Sequence, residues 1–127
     1  MNAASLLTDD LRAKLRANGD DAGADHVPVV KFFNPAGAGT WLATELAADG
    51  DTLFGIADVG VGCPELGSFG LRELEAITLP FGLAIERDIA FSSEHPLSAW
   101  AEAARACRSL SAAEQILAAA RLRRGDP

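Results

Sequence analysis

The stretch Val27-Pro28-Val29-Val30-Lys31-Phe32-Phe33-Asn34-Pro35-Ala36-Gly37-Ala38-Gly39-Thr40-Trp41-Leu42-Ala43-Thr44-Glu45-Leu46 decides the fold. Two runs rich in β-branched and aromatic residues, 27–33 and 40–46, flank six residues of dense turn chemistry. Pro28 donates no ladder hydrogen bond, which confines it to an edge or a strand end. The stretch therefore reads as a hairpin. Asp49-Gly50-Asp51 supplies a second turn and residues 53–59 a third strand, giving an antiparallel meander. A later segment, 84–91, alternates: Ile85, Arg87, Ile89 and Phe91 share one face, and Glu86 and Asp88 the other. It reads as a fourth strand.

Helices are expected outside this sheet. Residues 6–17 form a short helix with Thr8 as N-cap, Asp9 and Asp10 at its positive end, and Leu11 and Leu15 on one face. Asn18-Gly19 stops it, and the acidic residues 20–26 read as a mobile connector. Residues 60–70 hold four glycines and Pro64, too many for a regular element, and 71–77 reads as a short helix facing inward through Leu71, Leu74 and Ile77. Pro96 opens a helix whose Leu97, Trp100, Ala101 and Ala104 recur at helical spacing. Ser111-Ala-Ala-Glu114 reads as a capping box for a last helix with Ala113, Ile116, Leu117 and Ala120 buried, and Arg121, Arg123 and Arg124 complement its negative end. The expected class is α+β: a small antiparallel sheet of about four strands, with an N-terminal helix and two C-terminal helices packed over one face. No internal repeat is visible. One domain is expected over 1–127, made of a helix and linker (1–26), the sheet region (27–96) and a helical pair (97–127).

The composition excludes more than it selects. With 49% apolar and 23% charged residues the chain is ordinary globular material rather than disorder or low complexity. Against 11 Lys and Arg stand 18 Asp and Glu, and a net charge of −7 argues against general nucleic-acid binding, which needs a basic surface to displace counterions. Neither a basic leader with an apolar core nor a membrane-length apolar run is present, so a cytoplasmic location is expected. Cys63 and Cys107 stand 44 positions apart, outside any Cys-x-x-Cys pair, and read as reduced thiols. His26 and His95 have no ligand spacing that would add zinc.

Several motifs could carry chemistry. Gly37-Ala38-Gly39-Thr40 lacks the Gly-Lys-Ser/Thr ending of a phosphate loop and reads as a hairpin turn. Between residues 45 and 88 lie nine acids (Glu45, Asp49, Asp51, Asp58, Glu65, Glu73, Glu75, Glu86, Asp88) against Arg72 and Arg87. Glu86 and Asp88 project from one face of a strand about 7 Å apart. With Glu65 they could hold Mg²⁺ or Mn²⁺. Cys63 beside Glu65 lacks the base and the positive surroundings that a nucleophilic thiol needs. Trp41 and Trp100 read as core or subunit-contact residues, and Arg105 and Arg108 as a partner-facing basic end.

Lys31-Phe32-Phe33-Asn34-Pro35, Thr40-Trp41 with Thr44-Glu45, Phe54-Gly55, Cys63-Pro64-Glu65-Leu66-Gly67, Leu74-Glu75, Gly82-Leu83-x-Ile85-Glu86-Arg87-Asp88 and Pro96-Leu97 occur in one order. Together with the opening Leu6-Leu7-Thr8-Asp9-Asp10-Leu11, they resemble the bacterial family known as domain of unknown function 2958. The resemblance implies a small cytoplasmic protein encoded on plasmids and integrative elements, near conjugation, replication or antirestriction genes. It implies no catalytic residue. It does imply a functional surface at Lys31, Thr44, Glu45, Glu65, Glu86, Arg87 and Asp88.

The expected function is that of a non-enzymatic accessory protein of a mobile element that binds another protein, one form being a nucleic-acid mimic with its carboxylates in a basic groove. No cofactor is then required. The alternative is a divalent-metal enzyme on phosphodiesters with Glu65, Glu86 and Asp88 as ligands and Lys31 or Arg87 at the phosphate. A third reading is a structural homodimer joined through the Trp100 helix.

Overall fold

The computed structural model describes residues 5–123, and side chains as far as residue 120. Residues 1–4 and Arg124 lie outside the described residues, and Arg121 and Arg123 outside the described side chains. The first helix, α1 (Asp9–Gly19), has the expected cap, the Thr8 hydroxyl accepting from Leu11 N at 3.2 Å with Asp9 and Asp10 in the first turn. It starts three residues after residue 6, however, and runs through Asn18-Gly19 to a C-cap at Asp20. The sheet follows as β1 (Val30–Phe33), β2 (Thr40–Leu46), β3 (Thr52–Asp58), β4 (Glu65–Gly70) and, after helix α2 (Leu71–Ala76), β5 (Glu86–Arg87). Helices α3 (Leu97–Cys107) and α4 (Leu110–Arg123) close the chain. All pairings are antiparallel and the strand order is β4-β3-β2-β1-β5, so the chain is α+β with a five-stranded sheet.

The additional strand is β4, in the stretch whose glycines argued against regular structure. Pro64 stands just before it, where a missing N–H costs no ladder bond, and Gly67 pairs with Gly55 across the ladder. β4 is an edge strand held by backbone bonds to β3, so it needs little from its own side chains. β5 is shorter than expected. Asp88 ends it: its carboxylate accepts from Ala90 N at 3.0 Å and its carbonyl from Phe91 N, turning the chain out of the sheet. Ile89 is consequently 87% exposed, and Phe91 packs against Trp100 instead of a neighbouring strand.

Helices cover both faces of the sheet, not one. Val30, Phe32, Trp41, Ala43, Leu46 and Leu53 pack with Leu15 of α1, Leu71 and Leu74 of α2, and Ile85. Leu42 and Ile56 point the other way, into Leu97, Trp100, Ala101 and Ala104 of α3 and Leu110 and Ala113 of α4. The cause lies in β2, where Thr40, Trp41, Leu42, Ala43 and Thr44 are all buried, so both faces of that strand must be covered. The α3 stripe is the one its periodicity predicts. In α4, Ala113 is fully buried and Leu117 partly, but Ile116 is 49% exposed. Ile77 also faces out, at 36%. The α4 cap is Ser109, whose hydroxyl accepts from Ala112 N at 3.1 Å; Ser111 is exposed and Glu114 turns to Lys31.

Residues 20–29 are irregular, but their far end is tied to α3. Asp25 accepts from Ser98 N and from the Ser98 hydroxyl, and the His26 carbonyl accepts from Leu97 N. The Ser98 hydroxyl, then the Ser98 amide, hold the Asp25 carboxyl below its ordinary range.

The turn between β2 and β3 carries a sharper titration signature. Asp49 accepts from Thr52 N (2.9 Å), the Thr52 hydroxyl (2.7 Å) and Asp51 N (2.8 Å). These bonds, the Thr52 amide foremost, favour the charged form and bring its pKa from 3.8 to about 2. A folded value below the unfolded one means that the turn adds stability above about pH 4, which is lost as the pH falls toward 2. A ¹³C titration of the Asp49 carboxyl is expected to show its midpoint near 2, and Thr52→Val to move it upward.

Candidate functional site

The seven polar positions singled out in the sequence do not form one site. Glu65 on β4 and Glu86 on β5 occupy opposite edges of the sheet, four strand spacings or about 19 Å apart. They also face opposite ways: register carries Glu65 through Ala57, Trp41 and Phe32 to Arg87, whereas Glu86 lies beside Phe33. Glu65, Glu86 and Asp88 therefore cannot share one ion, and no other group of three metal-ligating side chains occurs among the described residues. Lys31 and Asp88 do meet. The Lys31 ammonium lies 2.7 Å from Glu114 of α4 and 3.6 Å from Asp88, with its side chain only 16% exposed. Clamped between two carboxylates, it is not poised for a phosphate. Arg87 is engaged on the other face, donating to the Leu6 carbonyl at 2.7 Å.

Thr44 and Glu45 mark a β-bulge. The register between β2 and β3 slips between Ala43 and Glu45. Thr44 is buried there, its hydroxyl donating to the Phe54 carbonyl and its own carbonyl accepting from Asn18 Nδ2. Thr44 is thus part of the joint between α1 and the sheet. Glu45 lines a shallow cleft with Phe54 and Ser68.

The acidic stretch has a structural use as well. Of its nine acids, five accept backbone N–H groups: Asp49 in its turn, Asp51 from Arg72, Asp58 from Gly60 and Leu110, Glu75 from Leu6, and Asp88 from Ala90. These five carboxylates therefore hold local structure as well as contributing charge, while Glu65, Glu73 and Glu86 are exposed. Trp100 is not a subunit contact in waiting. It is 3% exposed, with its indole N–H donating to Ser93 Oγ at 2.9 Å.

The feature that stands out had no place among the sequence candidates. Residues 77–85 form a small closed hairpin: Thr78 bridges Ala84, Leu79 N donates to the Leu83 carbonyl at 2.9 Å, and Leu83 N to the Pro80 carbonyl at 3.3 Å. Its feet are sunk in the core through Ile85 and Leu79. At its tip Phe81 (φ 62°) and Gly82 (φ 73°) both take positive φ. Two-residue turns of that class favour Asn-Gly. Here the first position is a phenylalanine that is 98% exposed. A left-handed conformation costs a non-glycine residue about 1–2 kcal/mol, and an exposed phenylalanine forgoes roughly 1.5–3 kcal/mol of burial. Ile77 and Leu83 flank it, at 36% and 38% exposure. The sequence signal is the tripeptide Pro80-Phe81-Gly82: proline and glycine announce a turn, and an aromatic between them is the anomaly.

Among the described residues no helix is long and apolar enough to cross a membrane. No curated protein and no solved structure matches the chain. A family model does match, over residues 6–111 of the 127, a span running from the foot of α1 through the Phe81 hairpin into α4. The chain belongs to the family described as Protein of unknown function (DUF2958).

Proposed function

We propose that this protein is a non-enzymatic binding module that docks another protein through the Phe81 hairpin, consistent with the accessory role on mobile elements that its family resemblance implies. The observation that carries this reading is Phe81 itself: fully exposed, conformationally strained and fixed to the core by both strands of a closed loop. Binding hot spots are enriched in rigid aromatic anchors, and a pre-ordered anchor loses little entropy on docking. Strain at an exposed site points to function because folding gains nothing from it.

Phe81→Asn separates the two roles cleanly. Asparagine suits the left-handed position, so the variant is expected to gain about 1 kcal/mol in urea unfolding. Removing the anchor is expected to weaken the partner complex by about 2 kcal/mol or more. The measurement is quantitative affinity capture of wild type and variant from cells carrying the parent element, beside the unfolding curves. The reading fails if both capture the same proteins in equal amount.

A further inference from the structure

A second feature lies on the opposite edge region of the fold, away from the Phe81 hairpin. The loop between β3 and β4 and the corner between α3 and α4 border an open pocket of about 450 Å³ lined by Val61, Gly62, Cys63, Pro64, Arg105 and Arg108. That volume falls within the roughly 300–1,000 Å³ of small-molecule sites. We propose that this pocket binds the dianionic phosphate group of a small phosphorylated molecule, held between the two guanidinium groups.

The first argument is charge. Neither Arg105 nor Arg108 has a carboxylate within ion-pairing distance among the described residues, although acids outnumber bases by 18 to 11 in this chain. Both side chains are exposed and border one concavity, so an anion seated there could pair with two guanidinium groups at once. Arg105 complements the negative end of α3 from its last turn. Arg108 lies past that turn. It is the α3 C-cap at φ 57°, a position where glycine is the unstrained choice and where an arginine carries a backbone cost.

The second argument is rigidity. Asp58 joins both walls, one carboxylate oxygen accepting from Gly60 N at 2.9 Å and the other from Leu110 N at 2.8 Å. Gly60 and Gly62 both take positive φ, so the loop curls around the opening. The walls are therefore set before any ligand arrives. Two cationic forks match one phosphate dianion better than a single carboxylate, and the pocket contains no aromatic ring on which a base could stack.

The test is an amide NMR titration of the full chain with inorganic phosphate and with glycerol 3-phosphate, against acetate at matched ionic strength. Saturable shifts at Gly60, Gly62 and Cys63 with both phosphates but not with acetate are expected. Arg108→Gly keeps the left-handed cap and should fold at least as well as wild type, while its phosphate affinity should fall about tenfold or more. Arg105→Ala should weaken binding similarly. Cys63 is exposed at the rim, so phosphate is also expected to slow its alkylation by the uncharged reagent iodoacetamide. Shifts that follow ionic strength alone, or equal affinity in Arg108→Gly, overturn the proposal.

Discussion

Asp58→Ala is expected to destabilise the fold by about 1.5–4 kcal/mol, a large share of the roughly 5–15 kcal/mol that holds a typical domain. The side chain sits on β3 at 5% exposure and satisfies two backbone donors, Gly60 N and Leu110 N. Leu110 is the first residue of α4 and is 1% exposed, so its amide has no water to turn to once the carboxylate is gone. An orphaned buried donor costs about 1–3 kcal/mol, and the charge at the helix N-terminus about 0.3–1 kcal/mol more. Asp58→Asn keeps the shape but supplies one acceptor and points an NH₂ at the second donor, so about half the loss is expected. Urea unfolding checks both, with an unchanged slope showing that the effect lies in the native state. Hydrogen exchange at Ala112 and Ala113 should accelerate well before that of β2. A loss below about 0.5 kcal/mol in Asp58→Ala would show that the contact is dispensable.

That carboxylate also illustrates what was legible in the sequence. Strand β2 could be read from Thr40-Trp41-Leu42-Ala43-Thr44, and the α3 stripe from Leu97, Trp100, Ala101 and Ala104, because periodic burial is a local property. Asp58 and Leu110 are 52 positions apart, and nothing local joins them. The density of acids between residues 45 and 88 was visible, but whether each carboxylate meets a backbone N–H or solvent depends on where the chain returns. The same holds for Lys31 and Glu114, 83 positions apart. β4 escaped for another reason: an edge strand is held by its neighbour's backbone, which leaves little trace in its own composition.

The candidate site was less legible than the fold. Polar residues at family-like positions drew attention, yet the structure uses Thr44 in a bulge, Lys31 in a clamp and Arg87 as a tie to Leu6. Phe81 was hidden because an apolar residue in a polar reading counts as core. Only backbone angles and exposure reveal that it is held outward, and only the closed hairpin shows that it stays there.

The largest effect is expected at Gly55. A Cβ built there would lie 1.8 Å from the Leu42 carbonyl oxygen, 2.8 Å from its carbon and 3.0 Å from Ala43 Cα. All three are backbone atoms of the central strand β2, so no rotamer change makes room. Nor can β2 move away easily. Just beyond the contact the bulge at Thr44 is fastened by its hydroxyl to the Phe54 carbonyl and by Asn18 of α1 to its own carbonyl, while Leu42 and Ala43 are buried on opposite faces. Relief requires parting β2 from β3, which breaks the ladder that both cores share. Gly55→Ala is therefore expected to cost at least about 4 kcal/mol and to lower the melting temperature by about 10–20 °C, with much of the protein insoluble on expression. Gly67 provides the control. It pairs with Gly55 across the β3–β4 ladder, but a Cβ there meets nothing within 4 Å. Gly67→Ala should gain about 0.5–1 kcal/mol, by restricting the unfolded chain and filling an edge position. Two adjacent glycines in one ladder should thus respond with opposite sign. If Gly55→Ala melts within a few degrees of wild type, the close approach of β3 to β2 at the bulge does not govern stability.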